Sequence, residues 1–457
     1  LVNSTEKETI IISKINSVIT KQEVLFWDIY NKTNLKNELL KLFHLGKTTE
    51  LCNLILDKLL LFAYKDKNFA LDDAKIFIET FLEIFITDTF IIPKYFQELF
   101  IIENNTISLL VKVILKTNTD SYLKSLLEQK PYQNDLNSHL SKVLTLYSTK
   151  NNIKVDYKTF FDTNQYLASV WYWRVFYNKN YVLEQVANNI KEHINQIENI
   201  GDNLEFIDRM DHAYFISTYI SNKDLIIKRK INDLIKDNFK TLKFNNIPNI
   251  KKIAVASAFW YEEHSVYRVL YPFIKSLSED YEITFIKLGN SHYSDKDDIF
   301  YNIKNVSYKH RILNISEIKE NDFQVIYYPD IGMSIESIIL SNLRIAPIQI
   351  AGYGHPVSTF GSEIDFFMVG EDTENIEEIE KNYSEKVIVL PFNGLKTLNI
   401  KDIKTKDNSK NKNEIIISCL ASIPKLNHEY ILMLNKIIKN SKKKVIIRFL
   451  CAESYPI

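Results

Sequence analysis

The sequence predicts an all-helical region followed by α/β domains built on parallel sheets, and three observations carry that expectation. Glycine and proline are scarce at first: two of nine glycines (Gly46, Gly201) and two of ten prolines (Pro93, Pro131) precede residue 245. Apolar residues there recur at three and four, as in Leu39, Leu40, Leu42, Phe43 and Leu51, Leu54, Ile55, Leu59, the period of a helix face. From Ile250 onward, short apolar runs alternate with helical stretches, the grammar of strands and helices in a parallel sheet.

Residues 1–245 therefore read as one all-helical domain, without a convincing repeat at the periods of about 33 to 47 residues that mark helical arrays. Its greasiest segment, FIETFLEIFITDTFIIP, is interrupted by Glu79, Glu83 and Asp88, short of the ~20 apolar residues a spanning helix needs. Residues 250–410 read as a doubly wound domain, with strands in KKIAVASAF, YEITFIKL, FQVIYYP, PIQIAGY, DFFMVG and KVIVLP, and helices over Ser265–Ser278 and Ser334–Arg344. Lys401 to Glu414, charged and rich in Asn, reads as a linker. Residues 411–457 then begin a second domain with a strand (EIIISCLA), a helix (Asn427 to Asn440) and a strand (KKVIIRFLCA). That is too little to close a doubly wound domain, so this one reads as incomplete.

Composition excludes some functions. Lys plus Arg and Asp plus Glu balance at 57 each, which argues against nucleic-acid or membrane-surface binding driven by net charge. Any anionic partner must be met locally. Cys52, Cys419 and Cys451 are scattered without metal-ligand spacing and suit a reduced, cytoplasmic setting, and no targeting segment or transmembrane span is legible. Asp295-Lys296-Asp297-Asp298 contains a DxD spacing, but without an apolar strand before it the segment reads as a solvated loop, and no metal site is expected.

In open parallel sheets, ligands sit at the carboxyl ends of strands. Three segments stand there. Ala346 to Gly370 packs four glycines and two prolines around His355, which lies between Gly354 and Pro356; a titratable side chain in so tight a turn points to a site. AFWYEEHSVYR places His264 and Arg268 four apart, on one face if a helix starts by Ser265, though a surface pair would look the same. ASIPKLN places Ser422 and Lys425 near a helix start, where a cation is unfavourable unless an anion joins it.

These segments resemble a known family. PDIGMSIESIILSNLRIAPIQIAGYGHPVST is similar to the signature of glycosyltransferase family 41, in particular the bacterial high-molecular-weight-adhesin glycosyltransferases, which are cytoplasmic asparagine N-glucosyltransferases. EEHSVYR resembles their His-Ser-x-Tyr-Arg element and SIPKLN their nucleotide-binding Lys-Leu-Asn element, in the same order over residues 205–457. The resemblance implies a GT-B architecture of two Rossmann-like domains after the helical one. It implies a UDP-hexose donor, UDP-glucose first, and the Asn amide of Asn-x-Ser/Thr in a polypeptide of the adhesin or autotransporter kind as acceptor, with no cofactor or metal. By position, Lys425 and Ser422 would meet the diphosphate, and His355 and the amides around Gly354 would sit at the reacting centre. His264 and Arg268 would line the acceptor side or the phosphates. Asp211, in DRMDHAYFIS, would match an acidic position facing the cleft.

Departures limit the match. Val357 to Gly361 replace a Thr-His-Ser run, and Ile423-Pro424 stand where Thr and Met are expected. The donor residues that would follow residue 457 are not in this chain, which by itself is expected to lack useful activity. The O-linked branch of the family and a non-catalytic polypeptide-binding protein are the rival readings.

Overall fold

The computed structural model describes residues 35–64, 71–178, 180–201, 206–220, 224–295, 298–352, 354–355, 357–395 and 414–450. Most of the linker read over 401–414, the middle of the DxD segment, Pro356 and Cys451 lie outside them. The described residues fall into two compact units, the first ending at Trp171 and the second beginning at Tyr172.

The first unit is helical. It holds α1 (Leu35–His44), α2 (Thr48–Tyr64), α3 (Leu71–Phe85), α4 (Lys94–Ile102), α5 (Asn104–Leu110), α6 (Asp120–Leu127), α7 (Leu136–Leu146), α8 (Tyr157–Thr163) and most of α9 (Gln165–Val175). In α3 the buried residues Ala74, Phe77, Ile78, Phe81, Leu82 and Phe85 follow the three-four spacing, and Phe85 packs its ring 5.2 Å from that of Phe100 on α4. The carbonyls left over at the end of α7 are collected by Asn104, whose amide donates to Leu144, Thr145 and Tyr147, and by Thr119 and Trp171.

The second unit adds α10 (Glu184–Ile194), α11 (Ile207–Ile216) and α12 (Asp224–Phe239), then turns to strands. These are β1 (Asn245–Ser257), β2 (Glu282–Leu288), β3 (Asn302–Lys309), β4 (Ile312–Asn314), β5 (Glu320–Tyr328), β6 (Ile348–Ala351), β7 (Phe366–Gly370) and β8 (Lys386–Leu390). Interleaved are α13 (Ser265–Leu277), α14 (Ile335–Ser341) and α15 (Ile379–Asn382). The order β4-β3-β2-β1-β5-β6-β7-β8 is parallel except for the β3–β4 hairpin, and its winding reverses between β1 and β5. This is a Rossmann-like sheet after a helical region, in the order the sequence predicts. A parallel pair, β9 (Glu414–Cys419) and β10 (Lys444–Phe449), joined by α16 (His428–Asn440), follows as the sequence predicts.

The change from helix to strand falls near residue 245, but the compact units part at 171. The reason is burial: Met210, Ala213 and Tyr214 on α11 and Ile227, Ile231, Leu234 and Ile235 on α12 are buried in the second unit, where both helices touch α14. The hairpin strands β3 and β4 are absent from the sequence-level list. NIKNVSYK hides its buried Val306 and Tyr308 among Lys and Asn, and the turn His310-Arg311 takes positive φ at both residues (50° and 67°) without the usual Asn-Gly.

Candidate functional site

A doubly wound sheet binds its ligand outside the carboxyl ends of the strands where the winding reverses, here β1 and β5. Asp330, just past β5, is fully buried at that point. Its Oδ2 accepts hydrogen bonds from Ser257 Oγ (2.7 Å) and from the backbone N–H of Ala258 (3.1 Å) and Phe259 (3.0 Å). Its Oδ1 has no partner among the described residues. A carboxylate thus fills the seat at the end of β1 where such folds cradle a phosphate. Burial pushes the Asp330 carboxyl up to about 6, against those hydrogen bonds.

A stability prediction follows from the sign of that shift. Folded Asp330 keeps its proton up to about pH 6, whereas the unfolded chain releases it near 3.8, so stability falls as pH rises through that window. The loss is roughly 3 kcal/mol at about 1.4 kcal/mol per pK unit. Asp330→Asn carries no charge and lacks the slope. Its melting temperature relative to the parent should climb between about pH 4 and 7, and a flat difference would exclude the buried charge.

The turn after β6 folds back onto this point. Gly352 N–H donates to Tyr328 O (3.0 Å) and Gly354 N–H to Pro329 O (2.6 Å). A Cβ on Gly354 would collide with that carbonyl, and one on Gly352 with the Tyr327 phenol. Gly332, at φ 89°, brings backbone against Tyr214 and His355, whose Cδ2 lies 3.3 Å from where its Cβ would stand.

His355 is 4% exposed. Its Nε2 lies 3.1 Å from Thr218 Oγ1 and 3.4 Å from Lys228 Nζ, and the Phe215 ring centre is 5.0 Å from its own. Burial, and then the Lys228 charge, hold the imidazole pKa well below its usual value, so the ring is neutral. Lys228, also fully buried, donates to Ser358 O (3.1 Å) and stands over the rings of Tyr214 and Phe360. It starts a ladder along α12: Asn232 donates to Thr359 O (2.7 Å) and Lys236 to Gly361 O (2.6 Å), one contact per helical turn. Glu385 accepts from Ser358 Oγ and Thr359 N–H on the other side. The segment that departs from the family pattern, Val357 to Gly361, is thus fixed from two directions.

Asp211 shares its helix with the His355 contacts: Asp211, Tyr214, Phe215 and Thr218 follow the three-four spacing along α11 and the short turn after it. Its carboxylate accepts from His212 N–H (2.6 Å) and lies 3.1 Å from His212 Nδ1. The His212 ring stacks on Tyr177 at 4.0 Å, and the Arg174 guanidinium lies 4.3 Å from the centre of the Tyr177 ring. Glu336, at the head of α14, is a further buried carboxyl, raised by burial and, more weakly, by the Asp211 charge.

The short turn after that helix meets the start of the β9–β10 unit. Asn427 donates to Tyr219 O (2.9 Å) while its Oδ1 caps α16 by accepting from Tyr430 N–H. Ser422 and Lys425 flank a single 3-10 turn before that cap, and both side chains are exposed. His264 caps α13 by accepting from Val266 N–H (3.2 Å), with its ring 4.9 Å from that of Phe259; burial and Arg268 lower its pKa. Arg268 is exposed, and its guanidinium donates to Glu263 O (2.8 Å) in its own loop.

Among the described residues no group of three His, Cys, Asp or Glu side chains could hold a metal ion. Asp295 caps Ile299 N–H, while Asp297 is outside the described residues. A groove of about 880 Å³ opens at the amino ends of the strands, lined by Asn249, Lys252, Thr284, Tyr301 and Asn321. It is at the opposite end of the sheet from the Gly-His turn, and its exposed mixed charges do not converge on a reacting group.

No protein-family model matches the chain. The UDP-glucose:protein N-beta-glucosyltransferase of Actinobacillus pleuropneumoniae serotype 5b (strain L20) is 25% identical over 281 residues, covering 57% of this chain and 44% of that protein. The protein of the same name from serotype 7 (strain AP76) is 28% identical over 161 residues, or 34% of this chain and 26% of the relative. Both likenesses agree with the resemblance to glycosyltransferase family 41 read in the sequence. The chain spans less than half the length of these relatives. Among solved structures, an O-GlcNAc transferase mutant of Thermobaculum terrenum matches over 91% of this chain and 68% of its own, at 11% identity and a TM-score of 0.46.

Of the family 41 elements read in the sequence, α11 and the short turn after it bring three into one neighbourhood: Asp211, His355, and the SIPKLN segment through Asn427. His264 joins through Phe259, whose N–H is held by Asp330. Asp330, Lys228, Thr218 and Glu385 were missed. Asp330 had a direct signal, its place immediately after the strand FQVIYYP.

Proposed function

We propose that the chain is part of an inverting, metal-independent glycosyltransferase that moves a hexose from a UDP-sugar, UDP-glucose first, to the side-chain amide of Asn in Asn-x-Ser/Thr of a polypeptide. The observation that carries this reading is the sequence kinship over 281 residues with a protein N-glucosyltransferase. The clustering of the motif residues around α11 supports it.

In this reading the anomeric C–O bond to UDP breaks as the amide nitrogen forms its bond to the same carbon, and the amide gives up a proton. Lys425, Ser422 and the amino end of α16 receive the charge that builds on the diphosphate. Asp211 accepts the amide proton. His355, being neutral and enclosed, orients the acceptor or the sugar. His264 and Arg268 line the acceptor side, and the peptide belongs to the adhesin or autotransporter class. A reducing cytoplasm suits Cys52 and Cys419, which are buried free thiols, the Cys52 thiol being pushed up to about 12 by burial. Among the described residues no helix is long and apolar enough to cross a membrane.

Asp211→Asn is expected to cut transfer by roughly 10²- to 10⁴-fold, the usual worth of general acid–base catalysis, with UDP-glucose affinity little changed. The full-length protein would be assayed by the rate of hexose addition to an Asn-x-Thr peptide and by calorimetric titration with UDP-glucose. Full activity in Asp211→Asn would remove that residue from the mechanism; absence of any transfer by the parent would remove the mechanism itself.

A further inference from the structure

We propose that Lys228 is a positioning residue that fixes His355 as its Nδ1–H tautomer, so that the site presents this imidazole as a hydrogen-bond donor. The tautomer is a statement about geometry alone; its consequence for catalysis rests on the glycosyltransferase reading above.

An ammonium carries protons and no lone pair, so the ring nitrogen facing it must offer its own lone pair. That nitrogen is Nε2, 3.4 Å from Lys228 Nζ and 3.1 Å from Thr218 Oγ1. A neutral imidazole with bare Nε2 holds its proton on Nδ1. Among the described residues the contacts of the ring are made through Nε2, and in this proposal the Nδ1–H faces the ligand.

Lys228 cannot drift away from this contact. Its side chain is fully buried, and the ammonium donates to Ser358 O and lies 5.1 and 5.6 Å from the ring centres of Tyr214 and Phe360. Burying a lysine is costly, and an apolar residue would fill the same volume at lower cost, so a cation here is explained by what it does to its neighbour. Among the described residues, the titratable groups placed around the imidazole are Lys228 from α12, Tyr214 from α11 and Glu385 at the head of β8, which holds Ser358 and Thr359 of the same loop. A fixed N–H donor can meet an oxygen that gains charge as the sugar transfers, without being consumed as a base.

Histidine-selective ¹⁵N NMR of the full-length protein, with His355 assigned by its loss in His355→Gln, tests this. The expected spectrum shows protonated Nδ1 and bare Nε2, unchanged over about pH 5 to 8. In Lys228→Met the titration should move up toward the ordinary range and the tautomers should mix, with kcat for transfer down about tenfold or more and KM for UDP-glucose little changed. Lys228→Arg should restore the spectrum and most of kcat. An Nε2–H ring or an imidazolium in the parent at pH 7, or an unchanged His355 spectrum in Lys228→Met, would overturn the proposal. Should Lys228→Met fail to fold, Thr218→Val, which leaves the ammonium in place, must keep the Nδ1–H signature; its loss counts against Lys228. The expected spectra in a protein that transfers no sugar would leave the positioning role standing and remove only the enzymatic reading.

Discussion

Lys425→Ala is expected to lower sugar transfer by roughly 10²- to 10³-fold, the size of effect seen when one preorganised charge donor is removed from a developing anion. The side chain is exposed, in a short turn at the carboxyl end of β9 and just before the capped start of α16. A cation there opposes the helix dipole unless an anion is shared between them. Its removal should therefore leave the fold intact and even relieve a small repulsion. Thermal melts should show an unchanged or slightly raised transition, while kcat/KM for UDP-glucose collapses. Lys425→Arg should recover part of the rate, since the charge is kept but not its compact geometry. A variant that loses stability together with activity would mean that Lys425 is structural.

Gly354→Ala should show the opposite signature, with loss of folding as well as activity. A Cβ at this position meets the backbone carbonyl of Pro329, which cannot swing aside as a side chain could. The same carbonyl accepts the Gly354 N–H, so relief of the clash also breaks that bond and displaces His355 next to it. The expected cost is about 3 kcal/mol, at the upper end for overpacking, read from the urea midpoint. Gly46→Ala is the control: its backbone is left-handed (φ 65°) but nothing lies within 4 Å of the new methyl, so only about 1 kcal/mol is expected. Gly354 itself is not left-handed, so a cost no larger than that at Gly46 would show that close approach to the Pro329 carbonyl does not require the glycine in the Gly-His turn.

Much of the fold was legible because its signals are local. Ser265 and Ser334 mark the starts of α13 and α14 to within a residue, and six parallel strands of the large sheet coincide with the short apolar runs. The hairpin β3–β4 was not legible, since its turn residues, His310 and Arg311, adopt positive φ without any composition that announces it. At the site, glycine scarcity pointed to Gly354 and His355 directly. Their support did not show, because Lys228 and Thr218 lie more than a hundred residues from the turn they hold. A pattern was present all the same: Lys228, Asn232 and Lys236 recur every four residues beside the apolar stripe Ile227, Ile231, Leu234, Ile235, which puts a polar ladder next to a buried face. Asp330 would have been found by inspecting each residue that follows a strand.

The most direct test of the glycosyltransferase reading is incubation of the full-length protein with UDP-glucose and a peptide containing Asn-Ala-Thr, in the presence of EDTA, followed by fragmentation mass spectrometry. The expected result is one hexose on the Asn side chain, at the same rate with and without chelator. Hexose on Thr would contradict the asparagine assignment, dependence on a divalent ion would contradict the metal-free mechanism, and no addition from UDP-glucose, UDP-galactose or UDP-N-acetylglucosamine to Asn, Ser or Thr would contradict the enzyme altogether.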